Sequence, residues 1–91
     1  MKFVLRYHDK VVDEDIPALP FVWSEKIKIA IEVRLTSDPD LYGKPLRRSL
    51  AGYRKLRVGD YRIIFRIEGQ AVKIFIIDHR SRVYENIFGR L

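Results

Sequence analysis

From Tyr53 onward the apolar residues fall at every second position, and this alternation restricts the chain more than any other feature. Leu56 and Val58 alternate with Tyr53, Lys55 and Arg57. After the turn signal Gly59-Asp60, Tyr61, Ile63, Phe65 and Ile67 alternate with Arg62, Ile64 and Arg66. Residues two apart share one face of a strand, so each run predicts a strand with one buried side. Glu68-Gly69-Gln70 closes a hairpin, and 71–78 is apolar on both faces, as in a central, covered strand. Three successive antiparallel strands then need a layer to cover their apolar face.

The first half of the chain supplies that layer. FVLRY (3–7) predicts a further strand with Phe3, Leu5 and Tyr7 on one side. Asp9 predicts the N-cap of a short helix through VVDEDI, whose first turns hold Asp13, Glu14 and Asp15, the charge favoured near a helix N-terminus. Pro17 and Pro20 bracket a break. Trp23, Ile27, Ile31 and Leu35 then recur every four residues and predict a helix from about Phe21 to Ser37. Ile29, Ala30 and Val33 widen its apolar stripe, and Lys26, Lys28, Glu32 and Arg34 fall mostly on the wetter flank. SDPD (37–40) ends the helix, and Leu46 and Leu50 pin a turn-rich stretch to the core. The predicted fold class is α+β: an N-terminal strand, two helices packed on one face of a mostly antiparallel sheet, and a short C-terminal tail, within one domain over 1–91.

Composition narrows the functions open to such a chain. Ninety-one residues, 47% apolar and 33% charged, suffice for one packed core and exclude wholesale disorder. No cysteine is present, so disulfide scaffolds, thiolate zinc sites and cysteine nucleophiles are excluded. Runs such as IFII (74–77) are far too short to span a bilayer, and MKFVLRYHD is too charged for a signal peptide. A cytoplasmic, cofactor-free domain with no metal site and no membrane association is the expectation.

The net charge of +6 is unevenly placed. Residues 1–45 carry seven Lys and Arg against eight Asp and Glu; residues 46–91 carry eleven against four, nine of the eleven being Arg. With Leu56, Val58, Tyr61, Ile63, Phe65 and Ile67 turned toward the helices, the pleat sends Lys55, Arg57, Arg62 and Arg66 outward together. Like charges on adjacent strands repel, so this face makes sense when it holds an anion. The guanidinium fork suits phosphate, and nucleic acid is the usual polyanion. The bland alternative is a solvated sheet face, with long aliphatic stems covering apolar surface.

GYRKLRVGDYRIIFRI (52–67) and IIDHRSRVYENI (76–87) resemble the RelE/ParE superfamily of type II toxins, and most closely its RelE branch of ribosome-dependent mRNA interferases. The paired helices, the LP at 19–20, GKPL at 43–46 and the final HRxxVY fall in the expected order. The resemblance implies cleavage of mRNA in the ribosomal A site. The ribose 2′-OH attacks the adjacent phosphate and leaves a cyclic phosphate and a 5′-OH, with neither a metal nor a water nucleophile. It implies catalytic roles for Lys55, Arg62, Arg80 and Tyr84. Arg62, in GDYR, matches the phosphate-stabilising arginine. Lys55 matches a general-base lysine, and it can serve only where its charge is disfavoured, a direction in which Arg57 and Arg62 would push. Relatives with two lysines on this strand differ from this chain, where Tyr53 and Arg54 precede Lys55.

Arg80 and Arg82 both fall where the family has an arginine that protonates or stabilises the leaving oxygen, and Arg80 fits HRxxVY better. Tyr84 matches a tyrosine that stacks on a base; an edge tyrosine capping the core is the alternative. Arg57, Arg66, His79 and Arg82 are the candidate RNA-binding residues, His79 being either a proton shuttle or a structural hydrogen-bonding group. His8 reads as structural. The implied partners are a cognate RelB-like antitoxin, the ribosome and mRNA, with DNA contacted only through the antitoxin. The same scaffold serves ParE-type gyrase inhibitors, and an inactive antitoxin-binding module is a third possibility.

Overall fold

The computed structural model describes residues 2–91. β1 (Val4–Tyr7), β2 (Lys44–Pro45), β3 (Arg54–Val58), β4 (Tyr61–Glu68) and β5 (Ala71–His79) form one sheet in the order β1-β5-β4-β3-β2. β1 runs parallel to β5, and every other pair is antiparallel. The α+β class and the mostly antiparallel sheet are as the sequence predicts. The two-residue strand β2 carries no periodicity long enough to be read and adds an unforeseen fifth strand.

One irregularity shapes both faces. Ile64 pairs with Ile76 and Phe65 with Ile74, leaving Phe75 as the extra residue of a bulge. Val72, Ile74 and Ile77 therefore face the helices, while Phe75 and Ile76 face the other way. On the helix side, Val11, Ile27, Ala30, Ile31 and Leu35 close over Leu56, Ile63 and Phe65. On the far side a smaller core joins Ile64, Phe75 and Ile76 to Leu50, Val83 and Ile87. Each fully buried aliphatic side chain contributes about 1.5–3 kcal/mol of transfer free energy.

The first helix begins with a wide π-type turn (Val11–Asp15) and runs into α1 (Ile16–Ala18). Its cap is His8, whose Nδ1 accepts the Lys10 N–H at 3.1 Å, and not the predicted Asp9. After Pro20, α2 (Phe21–Ala30) continues into a π-type segment (Ile31–Leu35). Ile27, Ile31 and Leu35 are buried as predicted, but Ile29 and Val33 are 60% and 63% exposed. At 100° per residue they lie on the side opposite Ile27, so they do not widen the stripe. α3 (Pro39–Tyr42) and a 3₁₀ turn (Arg48–Leu50) occupy the stretch read as turns, with Leu50 buried and Leu46 packed beside it. The C-terminal tail is helical: α4 (Val83–Asn86) leads into a 3₁₀ turn (Ile87–Arg90). It lies on the face opposite the two long helices, where Val83 and Ile87 complete the second core.

Gly59 turns the β3–β4 hairpin with φ of +59°, and a Cβ there would collide with the Trp23 ring. Gly59→Ala combines left-handed strain with displacement of an aromatic ring, and a loss of about 1–3 kcal/mol is expected in urea unfolding.

Candidate functional site

The pleat places Lys55, Arg57 and Arg62 on the face away from α2. Arg57 and Arg62 are direct cross-strand partners, and Lys55 lies two residues along β3 from Arg57. α4 brings Tyr84 to the same place, with the Lys55 ammonium 5.7 Å from the centre of its ring. Four of the predicted residues, from three chain segments, therefore share one shallow surface. Arg54 is excluded from it, because its guanidinium donates to the backbone carbonyls of Gly43 (2.8 Å) and Asp40 (3.2 Å) and so holds the loop before β2.

Arg62 curls along its own hairpin, where Nη1 donates to the carbonyls of Gly59 (3.0 Å) and Tyr61 (2.9 Å). Arg80 reaches the same turn from the end of β5. Its N–H donates to the Asp60 carbonyl at 2.8 Å, and its Nε stands 3.6 Å from the Asp60 carboxylate. The Arg80 side chain is 61% exposed, so this ion pair is weak and its cation is free to be recruited by a stronger anion. Arg82 pairs with Asp78 at 3.3 Å, and Asp78 is the cross-strand partner of Arg62. Of the two candidate C-terminal arginines, Arg80 therefore meets the hairpin turn and Arg82 the strand residue opposite Arg62.

Two predicted RNA contacts lie elsewhere. Arg66 is on the same sheet face but about 13 Å along β4 from Arg62 at the usual strand rise. There it forks onto Glu68, donates to the Tyr53 hydroxyl at 3.0 Å, and lies 5.1 and 5.5 Å from the Tyr53 and Phe75 ring centres. The Glu68 hydrogen bond is the main cause that holds the Arg66 guanidinium above its usual range. His79 is on the helix side of the sheet. Its ring meets Tyr61 edge-on at 5.9 Å, Tyr61 in turn meets Trp23 at 5.5 Å, and Nδ1 accepts the Ser81 N–H at 3.1 Å. The bulge sets this outcome by putting Asp78 on the cationic face and His79 behind it.

Asp78 is a participant that sequence reading passed over. It stands opposite Arg62 across β4 and β5, accepts from Arg82 and from Asn86 Nδ2 at 2.8 Å, and so ties α4 to the sheet beside the cations. The signal was the i, i+4 spacing of Asp78 and Arg82. Among the described residues, no group of three or more His, Asp or Glu is placed to hold a metal, and no helix is long and apolar enough to cross a membrane. Arginines at a hairpin, a lysine against a tyrosine and paired helices behind the sheet define a small α+β domain with one cationic sheet face.

Comparison with known proteins gives the family. Residues 5–84 match the ParE toxin of type II toxin–antitoxin systems, and the chain belongs to this family, within the RelE/ParE superfamily. Over 52 residues it is 42% identical to Toxin RelG and 40% identical to Toxin RelE, both of Mycobacterium tuberculosis. Each match covers 55% of this chain, and 60% and 54% of those relatives' lengths. The toxin–antitoxin complex RelBE2 of the same organism contains a chain that superposes with a TM-score of 0.81 at 32% identity, over 88% of this chain and 100% of that one. A chain of the RelB–RelE complex from Methanococcus jannaschii shares the fold, at 23% identity and a TM-score of 0.69 over 88% of this chain and 95% of that one.

The two arginines of β4 should separate stability from function. Arg66→Ala removes a hydrogen bond, an ion pair and two ring contacts, and a loss of about 0.5–1 kcal/mol is expected in urea unfolding. Arg62→Ala removes only two hydrogen bonds to carbonyls of its own turn and should change stability by less than about 0.5 kcal/mol.

Proposed function

We propose that this type II toxin is an endoribonuclease that cleaves mRNA in the ribosomal A site. The observation that carries this reading is that Lys55, Arg62 and Tyr84, from β3, β4 and α4, lie on one sheet face, with Arg80 meeting the Asp60 end of the β3–β4 turn. In the proposed reaction the ribose 2′-oxygen bonds to the adjacent phosphorus and loses its proton, with Lys55 as the group placed to take it. The bond from phosphorus to the 5′-oxygen breaks, and that oxygen takes a proton from solvent while Arg80, still charged, stabilises it. Arg62 stabilises the added negative charge on the phosphoryl oxygens, which a hairpin-held cation does without reorganising in the transition state. Tyr84 stacks on an unpaired base. Arg57 and Arg82 hold flanking phosphates; Arg66 and His79, given their places, act structurally.

The site is shallow and its acid–base groups are few. That suits an enzyme whose substrate is aligned by another machine, because alignment alone can supply about 7–11 kcal/mol of a barrier. Free RNA is accordingly a poor substrate, and the site of action is the cytoplasm. A type II toxin also has an antitoxin. Support for this partner is the family itself and the complexes in which similar chains occur. An acidic, amphipathic antitoxin segment suits the exposed stripe of Val22, Ile29 and Val33, flanked by Lys26 and Arg34.

The ParE match favours one rival reading, inhibition of DNA gyrase without cleavage. A translating extract with mapping of mRNA ends, run beside a supercoiling assay, distinguishes the two. A-site-positioned cuts are expected. Arg62→Ala should slow them about 100- to 1,000-fold, and Tyr84→Ala about 5- to 150-fold, the equivalent of losing one stacked base. Intact mRNA with blocked supercoiling would replace this reading with the rival.

A further inference from the structure

Asp15 and Arg90 form an ion pair that the proposed chemistry does not use. Arg90 Nη2 and Nη1 donate to Asp15 Oδ1 and Oδ2 at 2.8 and 2.9 Å, a two-pronged contact, and each side chain is only 10% exposed. Arg90 Nη1 also donates to the Phe75 carbonyl at 2.9 Å, and Asp15 Oδ2 accepts the Ile77 N–H at 2.9 Å. One partly buried pair thus joins the first helix, the bulged part of β5 and the C-terminal turn. The hydrogen bond to Asp15 is the chief reason that the Arg90 guanidinium is held above its ordinary range, against the effect of burial.

The consequence lies six residues upstream of Arg90. Tyr84 belongs to the helical segment 83–90, which is too short to be helical alone and keeps its shape only through contacts with the sheet. Val83 and Ile87 anchor its buried side, and Asp78 anchors its start through Arg82 and Asn86. The Arg82 side chain is 64% exposed, so its ion pair is screened by water, whereas the pair at the far end is shielded. We infer that Asp15 and Arg90 are positioning residues: their two-pronged, partly buried pair locks the C-terminal segment on the sheet and thereby sets Tyr84 beside Lys55. This role in cleavage rests on the nuclease reading; the lock itself does not. Lysine at 90 would retain the charge but not the fork that spans both carboxylate oxygens and the Phe75 carbonyl.

The test compares the full chain with Arg90→Ala, Arg90→Lys, Tyr84→Ala and the double variant Arg90→Ala/Tyr84→Ala. Amide hydrogen exchange and the nuclear Overhauser contact between the Tyr84 ring and the Lys55 side chain are read on the free protein. Single-turnover mRNA cleavage and ribosome binding are read beside them. In Arg90→Ala, exchange at 83–90 should rise about 100-fold while β4 and β5 change less than about tenfold, and the Tyr84–Lys55 contact should vanish. Arg90→Lys should fall between this variant and the parent, with the strands unchanged. Cleavage by Arg90→Ala should drop toward that of Tyr84→Ala with ribosome affinity preserved, and the double variant should be no slower than Tyr84→Ala.

The inference is overturned by a persisting Tyr84–Lys55 contact in Arg90→Ala. Equal loss of protection at 83–90 and in the strands of Arg90→Lys, or multiplying rate losses in the double variant, would overturn it as well. A parent protein that cuts no mRNA refutes the nuclease reading alone, because exchange and the ring contact still decide whether the lock exists.

Discussion

β1 pairs with β5 only from Ala71 to Ile74, so the outer edge of the central strand continues past Ile74 without a ladder partner. Buried backbone groups left unpaired cost about 1–3 kcal/mol each, which makes this edge the constraint to which neighbouring segments conform. The Ile74 carbonyl accepts the N–H of His8, the Ile77 N–H donates to Asp15, and the Phe75 carbonyl accepts from Arg90. The first helix and the end of the chain are drawn to the strand by these bonds. The wide turn through Val11–Asp15 is what aims Asp15 at the edge, since it ends on that residue.

The same strand divides the molecule into a structural side and a cationic side. Its bulge sends Phe75 and Ile76 away from the long helices, and this apolar pair gives Val83 and Ile87 a place to dock. Docking brings Tyr84 to Lys55. A cationic face would otherwise be left to self-repulsion, and carboxylates temper it locally: Glu68 holds Arg66, Asp78 holds Arg82 and Asp60 lies near Arg80. Lys55, Arg57 and Arg62 have no such carboxylate partner among the described residues, and Lys55 stands 5.7 Å from the Tyr84 ring. Electrostatic attraction for a phosphate backbone therefore concentrates where the aromatic ring is.

Much of this was legible from local pattern. Alternation from Tyr53 to Ile67 placed Lys55, Arg57, Arg62 and Arg66 on one face, because side-chain direction in a strand depends only on residue parity. The four-residue spacing of Trp23, Ile27, Ile31 and Leu35 identified the buried side of α2 for a similar reason. Where side chains lie apart from the place that local pattern predicts, the cause lies across the sheet. His79 was grouped with the arginines, yet one extra residue at Phe75 reverses parity beyond it and puts the ring against Tyr61. Arg66 shares the face but is engaged by Glu68 and Tyr53, partners that pairing and turn geometry supply. Ile29 and Val33 read as widening the apolar stripe of the helix, although the helical angle turns them outward.

The sequence by itself determined the order of elements, the buried side of each long element and the cationic character of one sheet face. These follow from periodicity, which is a property of neighbouring residues. Tertiary structure alone decided which cations meet an aromatic ring, which are neutralised, and which pair of charges ties the first helix and the C-terminal turn to β5. Asp15 and Arg90 are 75 residues apart, and no local rule links them; only the folded sheet brings both to the one strand edge that needed a donor and an acceptor.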